Sequence, residues 1–273
     1  IQTGEPVEQF LTMVSWDPTG KDIYIGVLNR EQNHLKFNKY EAKTGKFVKT
    51  LFEEKATTWV EPQHVLTFVP NNPKQFIYQT DFNGYNQMYL YNTDGKLLKN
   101  LGFKDVIVSN MLGFDAKNSK INYIGTTNNG LDRQLFQVDL KSGKTIQLTT
   151  VPGMHNASLS SDGTMILDQF SNLNTPNEIS ILNFKNKMAN IPLVKAENPF
   201  TGKIDLPKIE FVTLTSPDGT TPLNGRIIYP TNFDATKKYP VMLYVYGGSH
   251  AQLVTNRWLG GAGYFDLYMA QQG

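Results

Sequence analysis

The stretch Leu135-Phe136-Gln137-Val138-Asp139-Leu140-Lys141-Ser142-Gly143-Lys144 decides the fold of this chain. Phe136, Val138 and Leu140 alternate with Gln137 and Asp139, as expected of a β-strand that buries one face. A Ser-Gly turn follows, and its glycine supplies the positive φ that tight hairpins require. The stretch therefore predicts a strand and a hairpin turn of an antiparallel sheet.

The same pattern recurs along residues 1–193. Each copy has a polar turn, a short strand rich in aromatic and β-branched residues, a second strand and a tight turn. The closing turns are Lys43-Thr-Gly45-Lys46, Thr93-Asp94-Gly95-Lys96, Ser142-Gly143-Lys144 and Lys185-Asn186-Lys187, spaced 50, 48 and 43 residues apart. A period of about 40 to 50 residues without helical patterning is typical of β-propeller blades. We expect a mainly β fold with a partial propeller of about four blades; a plain β-sandwich with coincidental turn spacing is the alternative.

Composition excludes several classes of protein. The chain has 273 residues, of which 40% are apolar, enough for a substantial core. Its 26 basic and 24 acidic residues nearly cancel, so net charge favours neither nucleic acid nor an anionic membrane as a partner. It has no cysteine, and its four histidines (His34, His64, His155 and His250) show no metal-ligand spacing, so we predict no metal or cofactor and interpret each as a surface or packing residue. The longest apolar runs are too short to span a membrane.

The sequence changes character after the repeats. Residues 194–208 contain Pro199, Gly202 and Pro207 and are predicted to be a linker. In residues 209–273, two strand-like runs flank the turn Ser216-Pro-Asp-Gly219, which predicts a hairpin. The apolar run Val241 to Val245 then suits a strand buried on both faces, and it ends in the turn Tyr246-Gly247-Gly248. Aromatic residues at helical spacing from Tyr264 onward predict a terminal helix.

Three motifs carry a resemblance to the prolyl oligopeptidase family of serine peptidases, and within it to the dipeptidyl peptidase IV branch. They are Leu28-Asn-Arg-Glu-Gln-Asn33, Asp81-Phe-Asn-Gly-Tyr85 and Tyr239-Pro240 leading to Tyr246-Gly247-Gly248. The resemblance runs over essentially the whole chain. It implies the later blades of a propeller (residues 1–193), followed by the first strands of an α/β-hydrolase domain. Residues 209–273 would be the N-terminal part of that domain, which is truncated.

The resemblance implies a role for Tyr246. It matches the family tyrosine whose hydroxyl helps to form the oxyanion hole, where a neutral donor stabilises negative charge on the substrate carbonyl oxygen. Family members usually carry proline after the two glycines, whereas this chain has Ser249, which is expected to loosen the loop. Ser249 is not expected to be the nucleophile, because a nucleophile elbow needs a strand-to-helix turn later in the sheet.

The catalytic triad is expected to lie outside this chain. On the α/β-hydrolase fold the order is Ser, then Asp or Glu, then His, all after the strand that carries the oxyanion tyrosine. The remainder of such a domain needs on the order of 200 residues beyond Gly273. We therefore predict that this chain is part of a serine exopeptidase and is inactive by itself.

The resemblance also implies a substrate and a location. Family members release X-Pro or X-Ala dipeptides from peptides with a free N-terminus, and a pair of glutamates in the propeller recognises the substrate amino group. Glu53 and Glu54 form such a pair, but the family pair lies in an earlier blade, so we interpret them as loop residues. Trp59-Val60-Glu61 resembles a family strand near the substrate cavity, without an assigned role. A periplasmic or cell-surface location and a possible homodimer are expected by resemblance alone.

Two other functions remain open at this point. The chain could be a non-catalytic propeller that binds a partner through its loops. It could also belong to a related oligopeptidase or acylaminoacyl peptidase, which shares the Tyr-Gly-Gly strand but not the Asn-Arg-x-Gln-Asn segment.

Overall fold

The structure is a computed structural model that describes residues 1, 3, 8–186, 188–248, 251–261 and 263–273. Its contacts divide the chain into two compact units. The first comprises residues 1–125 and 136–147, and the second comprises residues 126–135 and 148–273. The second unit therefore contains the tip of one hairpin, residues 126–135, together with the C-terminal part of the chain.

Sixteen strands follow one another as four antiparallel groups of four. The first sheet contains β1 (Gln9–Trp16), β2 (Asp22–Asn29), β3 (His34–Glu41) and β4 (Phe47–Lys55). The second contains β5 (Thr67–Val69), β6 (Asn72–Thr80), β7 (Gln87–Asn92) and β8 (Leu97–Asn100). The third group is β9 (Val108–Phe114), β10 (Lys120–Thr127), β11 (Asp132–Asp139) and β12 (Thr145–Gln147), and the fourth is β13 (Met154–Leu159), β14 (Met165–Ser171), β15 (Glu178–Asn183) and β16 (Ala189–Val194). A single parallel pairing, of Arg133 in β11 with Met154 in β13, joins the third and fourth groups in one eight-stranded sheet. Short 3-10 helices at Asn128–Gly130 and Phe184–Asn186 follow β10 and β15.

The cores of the first unit show that these sheets are blades and not the layers of a sandwich. One cluster packs Leu35 and Phe37 of the first sheet against Tyr78 and Tyr89 of the second. Another packs the opposite face of the second sheet against the third, and includes Ile77, Met88, Leu90, Tyr123 and Phe136. The second sheet is therefore covered on both faces by successive neighbours, as a propeller blade is. The predicted partial propeller is confirmed.

The turns that close the blades were placed correctly by their glycines. Gly45, Gly95 and Gly143 have φ of +70°, +86° and +74°, in the left-handed region that glycine tolerates. At Gly95 a side chain would also meet the backbone of Leu51, because an added Cβ would lie 2.2 Å from its carbonyl oxygen. Glycine at this position therefore serves both the turn and close packing.

The part of the chain after the blades contains the predicted hairpin and helix. Strands β17 (Ile209–Thr215) and β18 (Pro222–Ile228) pair antiparallel across the Ser216-Pro-Asp-Gly219 turn. Helix α1 (Tyr264–Gln272) closes the chain, and Arg226 of β18 forms an ion pair of 3.2 Å with Asp266 in its first turn. The nine-residue α1 is too short to cross a lipid bilayer, and no helix among the described residues could do so.

The predicted buried strand at Val241 to Val245 is wrong for this structure. These residues have no strand assignment, and the side chains of Val241, Leu243 and Val245 are 89%, 82% and 72% exposed. A strand buried on both faces needs neighbours to pair with its backbone and to cover its side chains. The described part of the chain supplies no such neighbours for residues 241–245. Among the described residues after β16, the only paired strands are those of the β17–β18 hairpin.

Candidate functional site

Tyr246 lies in the second unit, in residues 241–248, which have no strand or helix assignment, and it is 63% exposed. Its ring lies over Gly248: a Cβ added there would come within 2.6 Å of a ring carbon and 2.8 Å of the hydroxyl oxygen. Glycine at position 248 therefore lets the tyrosine ring fold back over the turn. Ser249 and His250, which follow, are outside the described residues.

An aromatic cluster holds the chain just before this segment. The hydroxyl of Tyr239 accepts a hydrogen bond of 2.9 Å from the backbone N–H of Asp234. Its ring packs on Phe233 at a centroid distance of 5.4 Å, and Phe233 packs on Tyr229 at 4.7 Å. Because Tyr229 directly follows β18, this cluster ties the start of the Tyr246 segment to the β17–β18 hairpin.

Asn256 holds the chain after this segment. Its backbone N–H donates to the carbonyl oxygen of Leu131 at 2.8 Å, and its side-chain amide donates to Asp132 Oδ1 at 2.7 Å. Its side-chain oxygen accepts from the backbone N–H of Leu173 at 3.2 Å. One asparagine therefore bridges the turn between β10 and β11 and the loop after β14.

Two further amides reach the same β10–β11 turn. Asn224 of β18 donates to the carbonyl oxygen of Asn129 at 2.8 Å, and Gln252 donates to that of Gly130. Neither the composition nor the motifs pointed to Asn256, Asn224 or Gln252. Lone amides carry no spacing pattern in a sequence, and their partners lie about 95 to 124 positions away.

The interpretation of Glu53 and Glu54 as loop residues is wrong: they are neighbours in strand β4, with opposite surroundings. Glu53 is exposed and bonds to His34 Nε2 at 2.7 Å and to Lys55 at 3.3 Å, and the bond to His34 is the main reason why its pKa is lowered. Burial raises the pKa of Glu54, whose carboxylate accepts from the Thr80 hydroxyl at 3.2 Å. The two carboxylates are therefore not a matched pair that faces one ligand.

The Asn-Arg-x-Gln-Asn segment builds a turn between β2 and β3. The side-chain oxygen of Asn29 accepts from the backbone N–H groups of Asn33 and His34 at 3.0 and 2.9 Å. The carbonyl oxygen of Gln32 in turn accepts from the N–H of Val60 at 2.7 Å. This turn therefore holds the Trp59-Val60-Glu61 segment, and Trp59 stands 60% exposed beside it.

The Asp81-Phe-Asn-Gly-Tyr85 motif is also a turn, between β6 and β7. Gly84 has a φ of +89°, and its N–H donates to the carbonyl oxygen of Asp81 at 2.6 Å. Asn83 donates to the hydroxyl of Tyr89 at 3.1 Å, while Phe82 packs on the ring of Tyr89 at 4.9 Å. Two of the three motifs that carry the resemblance thus have clear roles in folding.

The other histidines differ in burial. His155 is buried, and its Nδ1 lies 2.7 Å from a carboxylate oxygen of Asp168, which is also buried. His64 lines a cavity of about 160 Å³ with Gln79 and Asn110, and burial lowers its pKa. Among the described residues, no group of three or more His, Asp or Glu is arranged to hold a metal ion.

The sequence of this chain is similar to those of known dipeptidyl peptidases. The model of the dipeptidyl peptidase IV N-terminal region matches residues 1–177. Dipeptidyl peptidase 4 of Trichophyton rubrum is 26% identical over 257 residues, which cover 90% of this chain and 32% of that protein. A protein described as a probable dipeptidyl-aminopeptidase B of Arthroderma gypseum is also 26% identical, over 87% of this chain and 27% of its own length.

Solved structures agree with these relatives. A crystal structure assigned as a dipeptidyl aminopeptidase IV of Bacteroides ovatus superposes with a TM-score of 0.91 at 36% identity, over all of this chain and 41% of that one. Dipeptidyl peptidase 4 of Porphyromonas gingivalis, at 20% identity, shares the fold with a TM-score of 0.85, over 99% of this chain and 38% of its own. The chain spans about a third of the length of the curated relatives it matches. It belongs to the family of the dipeptidyl peptidase IV N-terminal region.

Proposed function

We propose that this chain is the part of a serine exopeptidase that contains the later propeller blades and the start of the peptidase domain. The enzyme releases X-Pro or X-Ala dipeptides from peptides with a free N-terminus. The observation that carries this proposal is the continuous match to named dipeptidyl peptidases, which runs over about 90% of the chain and so covers both the blades and most of the C-terminal region.

Tyr246 is the residue of this chain proposed to act in the reaction. Attack on a peptide carbonyl places negative charge on its oxygen, and a phenol can donate a hydrogen bond to that oxygen without carrying a charge of its own. The exposed position of Tyr246 beside the Gly247-Gly248 turn leaves room for a substrate carbonyl to approach. The nucleophile, acid and base would follow in the remainder of the peptidase domain.

The test compares the 273-residue chain with the full-length polypeptide that contains it. Chromogenic Gly-Pro and Ala-Pro substrates are assayed with each, and N-acetylated versions of both substrates serve as the blocked control. We expect turnover by the full-length polypeptide only, and only with a free N-terminus. A binding scaffold without catalytic function would turn over neither substrate in either form, and an acylaminoacyl peptidase would prefer the acetylated ones.

The first testable prediction concerns Tyr246→Phe in the full-length enzyme. Removing one oxyanion donor should lower kcat by roughly 10²- to 10³-fold and leave KM little changed, because the donor acts on charge that develops in the transition state. Steady-state kinetics with Gly-Pro p-nitroanilide measure both constants. A variant with the kcat of the wild type would remove Tyr246 from the mechanism.

The resemblance extends the proposal to assembly and location. A homodimer in the periplasm or at the cell surface is the proposed state of the enzyme. Light scattering during size-exclusion chromatography of the full-length polypeptide gives its mass, and cell fractionation gives its compartment. A monomeric mass would contradict the proposed homodimer. Recovery in the cytoplasm would contradict the proposed location.

A further inference from the structure

The segment that carries Tyr246 is held at two ends in the second unit. Upstream, the Tyr239 hydroxyl bonds to Asp234 at 2.9 Å. Downstream, Gln252 and Asn256 bond to the β10–β11 turn. Residues 241–248 between these anchors have no strand assignment. Among the described residues, Tyr239 and Gln252 are therefore the hydrogen-bonded positions that flank Tyr246 on either side.

The downstream anchor is the more strongly built of the two. Asp132 is 3% exposed, and its two carboxylate oxygens accept from different amides, Oδ1 from Asn256 at 2.7 Å and Oδ2 from Asn128 at 3.0 Å. Hydrogen bonds to a carboxylate are stronger than those between neutral groups, and losing a partner of a buried carboxylate is costly. The neighbouring Thr255 is also buried.

Asn256 makes three hydrogen bonds at this position. Its N–H, its amide donor and its amide acceptor engage Leu131, Asp132 and Leu173 respectively. Aspartate would lack the donor, and a longer side chain would not keep the same three distances. This asparagine therefore holds the chain at position 256 against the β10–β11 turn and the loop after β14.

We propose that Asn256, through Asp132, is a positioning residue for Tyr246. It holds the downstream end of the Tyr246 segment on the β10–β11 turn, so that the hydroxyl points to the place where the oxyanion forms. This inference rests on the proposed oxyanion role of Tyr246. It adds that Asn256, which follows Tyr246 in the chain, and Asp132, which lies at the β10–β11 turn, together set the position of the Tyr246 hydroxyl.

The test is a double-mutant cycle in the full-length enzyme with Tyr246→Phe, Asn256→Ala and the double variant. We expect Asn256→Ala to lower kcat about 3- to 10-fold with KM within twofold of the wild type, since misplacing a catalytic group slows the chemical step. The double variant should match Tyr246→Phe within twofold, because a positioning residue has nothing left to position once the hydroxyl is gone. Losses that multiply in the double variant, or an unchanged kcat for Asn256→Ala, would overturn the proposal.

Asn224→Ala is the matched control. It removes an amide that bonds to the same turn, at Asn129, but it lies in β18 and not in the segment after Tyr246. We expect its kcat to equal that of the wild type. An equal loss of kcat in Asn224→Ala and Asn256→Ala would show that any damage to the turn suffices, and would overturn the specific role of Asn256.

Hydrogen exchange separates failure of this inference from failure of the proposed function. Asn256→Ala should speed exchange of the amides of residues 251–261, whereas Asn224→Ala should not. If Tyr246→Phe keeps the wild-type kcat, the oxyanion role fails, and the exchange rates alone decide whether Asn256 anchors the segment: faster exchange supports the anchor and unchanged exchange overturns it. Should Asn256→Ala not fold, Asp132→Asn replaces it, because an amide has one acceptor oxygen and loses one of the two bonds.

Discussion

At the scale of single residues, the adjacent carboxylates of β4 show how burial and hydrogen bonding shift pKa values in opposite directions. Burial raises the pKa of Glu54, which bonds to Thr80 and faces Tyr78. Burial of Tyr91, and to a lesser extent the nearby Glu54 carboxylate, raise the pKa of Tyr91 to about 12. Glu53, one position earlier, has its pKa lowered by its bond to His34.

The opposite pKa shifts of Glu54 and Glu53 give a second prediction, on how the free energy of unfolding changes with pH. A raised pKa means that the folded state holds the proton more tightly, so the contribution of Glu54 is largest below its unfolded pKa and is lost as pH rises through its folded pKa. Glu54→Gln keeps an acceptor for Thr80 and removes the buried charge. We expect it to raise the free energy of unfolding at pH 7 by up to about 1 kcal/mol and to have little effect at pH 4.

Glu53→Gln is the matched control, with the opposite sign. A lowered pKa contributes stability above the unfolded pKa, and this stability is lost as pH falls through the folded pKa. Because the pair with His34 and Lys55 is exposed, the loss at pH 7 should be only a few tenths of a kcal/mol. Urea unfolding of both variants and the wild type at pH 4 and pH 7 gives the effect of each substitution on the free energy of unfolding at each pH. Equal changes with pH in the two variants would contradict the different surroundings of Glu53 and Glu54.

At the scale of elements, one turn design recurs before the second strand of several blades. In the third group, Asp115 Oδ1 accepts from the backbone N–H groups of Ser119 and Lys120 at 2.7 and 2.8 Å. In the first sheet, Asp17 Oδ1 accepts in the same way from Lys21 and Asp22 at 2.8 and 3.1 Å. In the fourth group the hydroxyl of Ser160 takes this place. A side-chain acceptor before a strand thus closes each of these hairpins.

The third prediction follows from this turn. Asp115→Ala leaves two backbone N–H groups without their acceptor and should lower the free energy of unfolding by about 1 kcal/mol. Asp115→Asn retains an acceptor oxygen and should cost less than half as much. Urea unfolding gives the totals, and hydrogen exchange at Ser119 and Lys120 should be faster only in the alanine variant. Equal effects of both substitutions would show that the oxygen does not hold the turn.

The elements also show what a sequence can and cannot reveal. The hairpins at Gly45, Gly95 and Gly143 were predictable because a positive φ limits the choice of residue. Gln137 was expected on a solvent face, yet it is 6% exposed, and its side-chain amide donates to Asn122 of the same sheet at 2.9 Å. The anchor at Asn256 was not predictable, since its partner Asp132 is 124 positions away.

At the scale of the whole molecule, apolar side chains without cover are concentrated in the C-terminal region. Val241, Met242, Leu243, Tyr244 and Val245 form a continuous exposed run, although their composition is that of a core strand. Exposed apolar strands with free backbone groups favour pairing with other chains. The local sequence therefore encodes a strand, but burial of that strand requires neighbours that these described residues do not provide.

The last prediction tests whether the exposed apolar run at residues 241–245 causes self-association of the isolated 273-residue chain. Replacing Val241, Leu243 and Val245 with aspartate should reduce self-association, because three charges interrupt the only long apolar run that stands exposed in this part of the described chain. The blades should be unaffected, because these side chains make up no part of their cores. Static light scattering at increasing protein concentration measures association, and thermal unfolding followed by near-ultraviolet circular dichroism reports on the aromatic cores. A fall in Tm of several degrees would show that residues 241–245 are packed in solution, whereas unchanged scattering would show that another surface drives association.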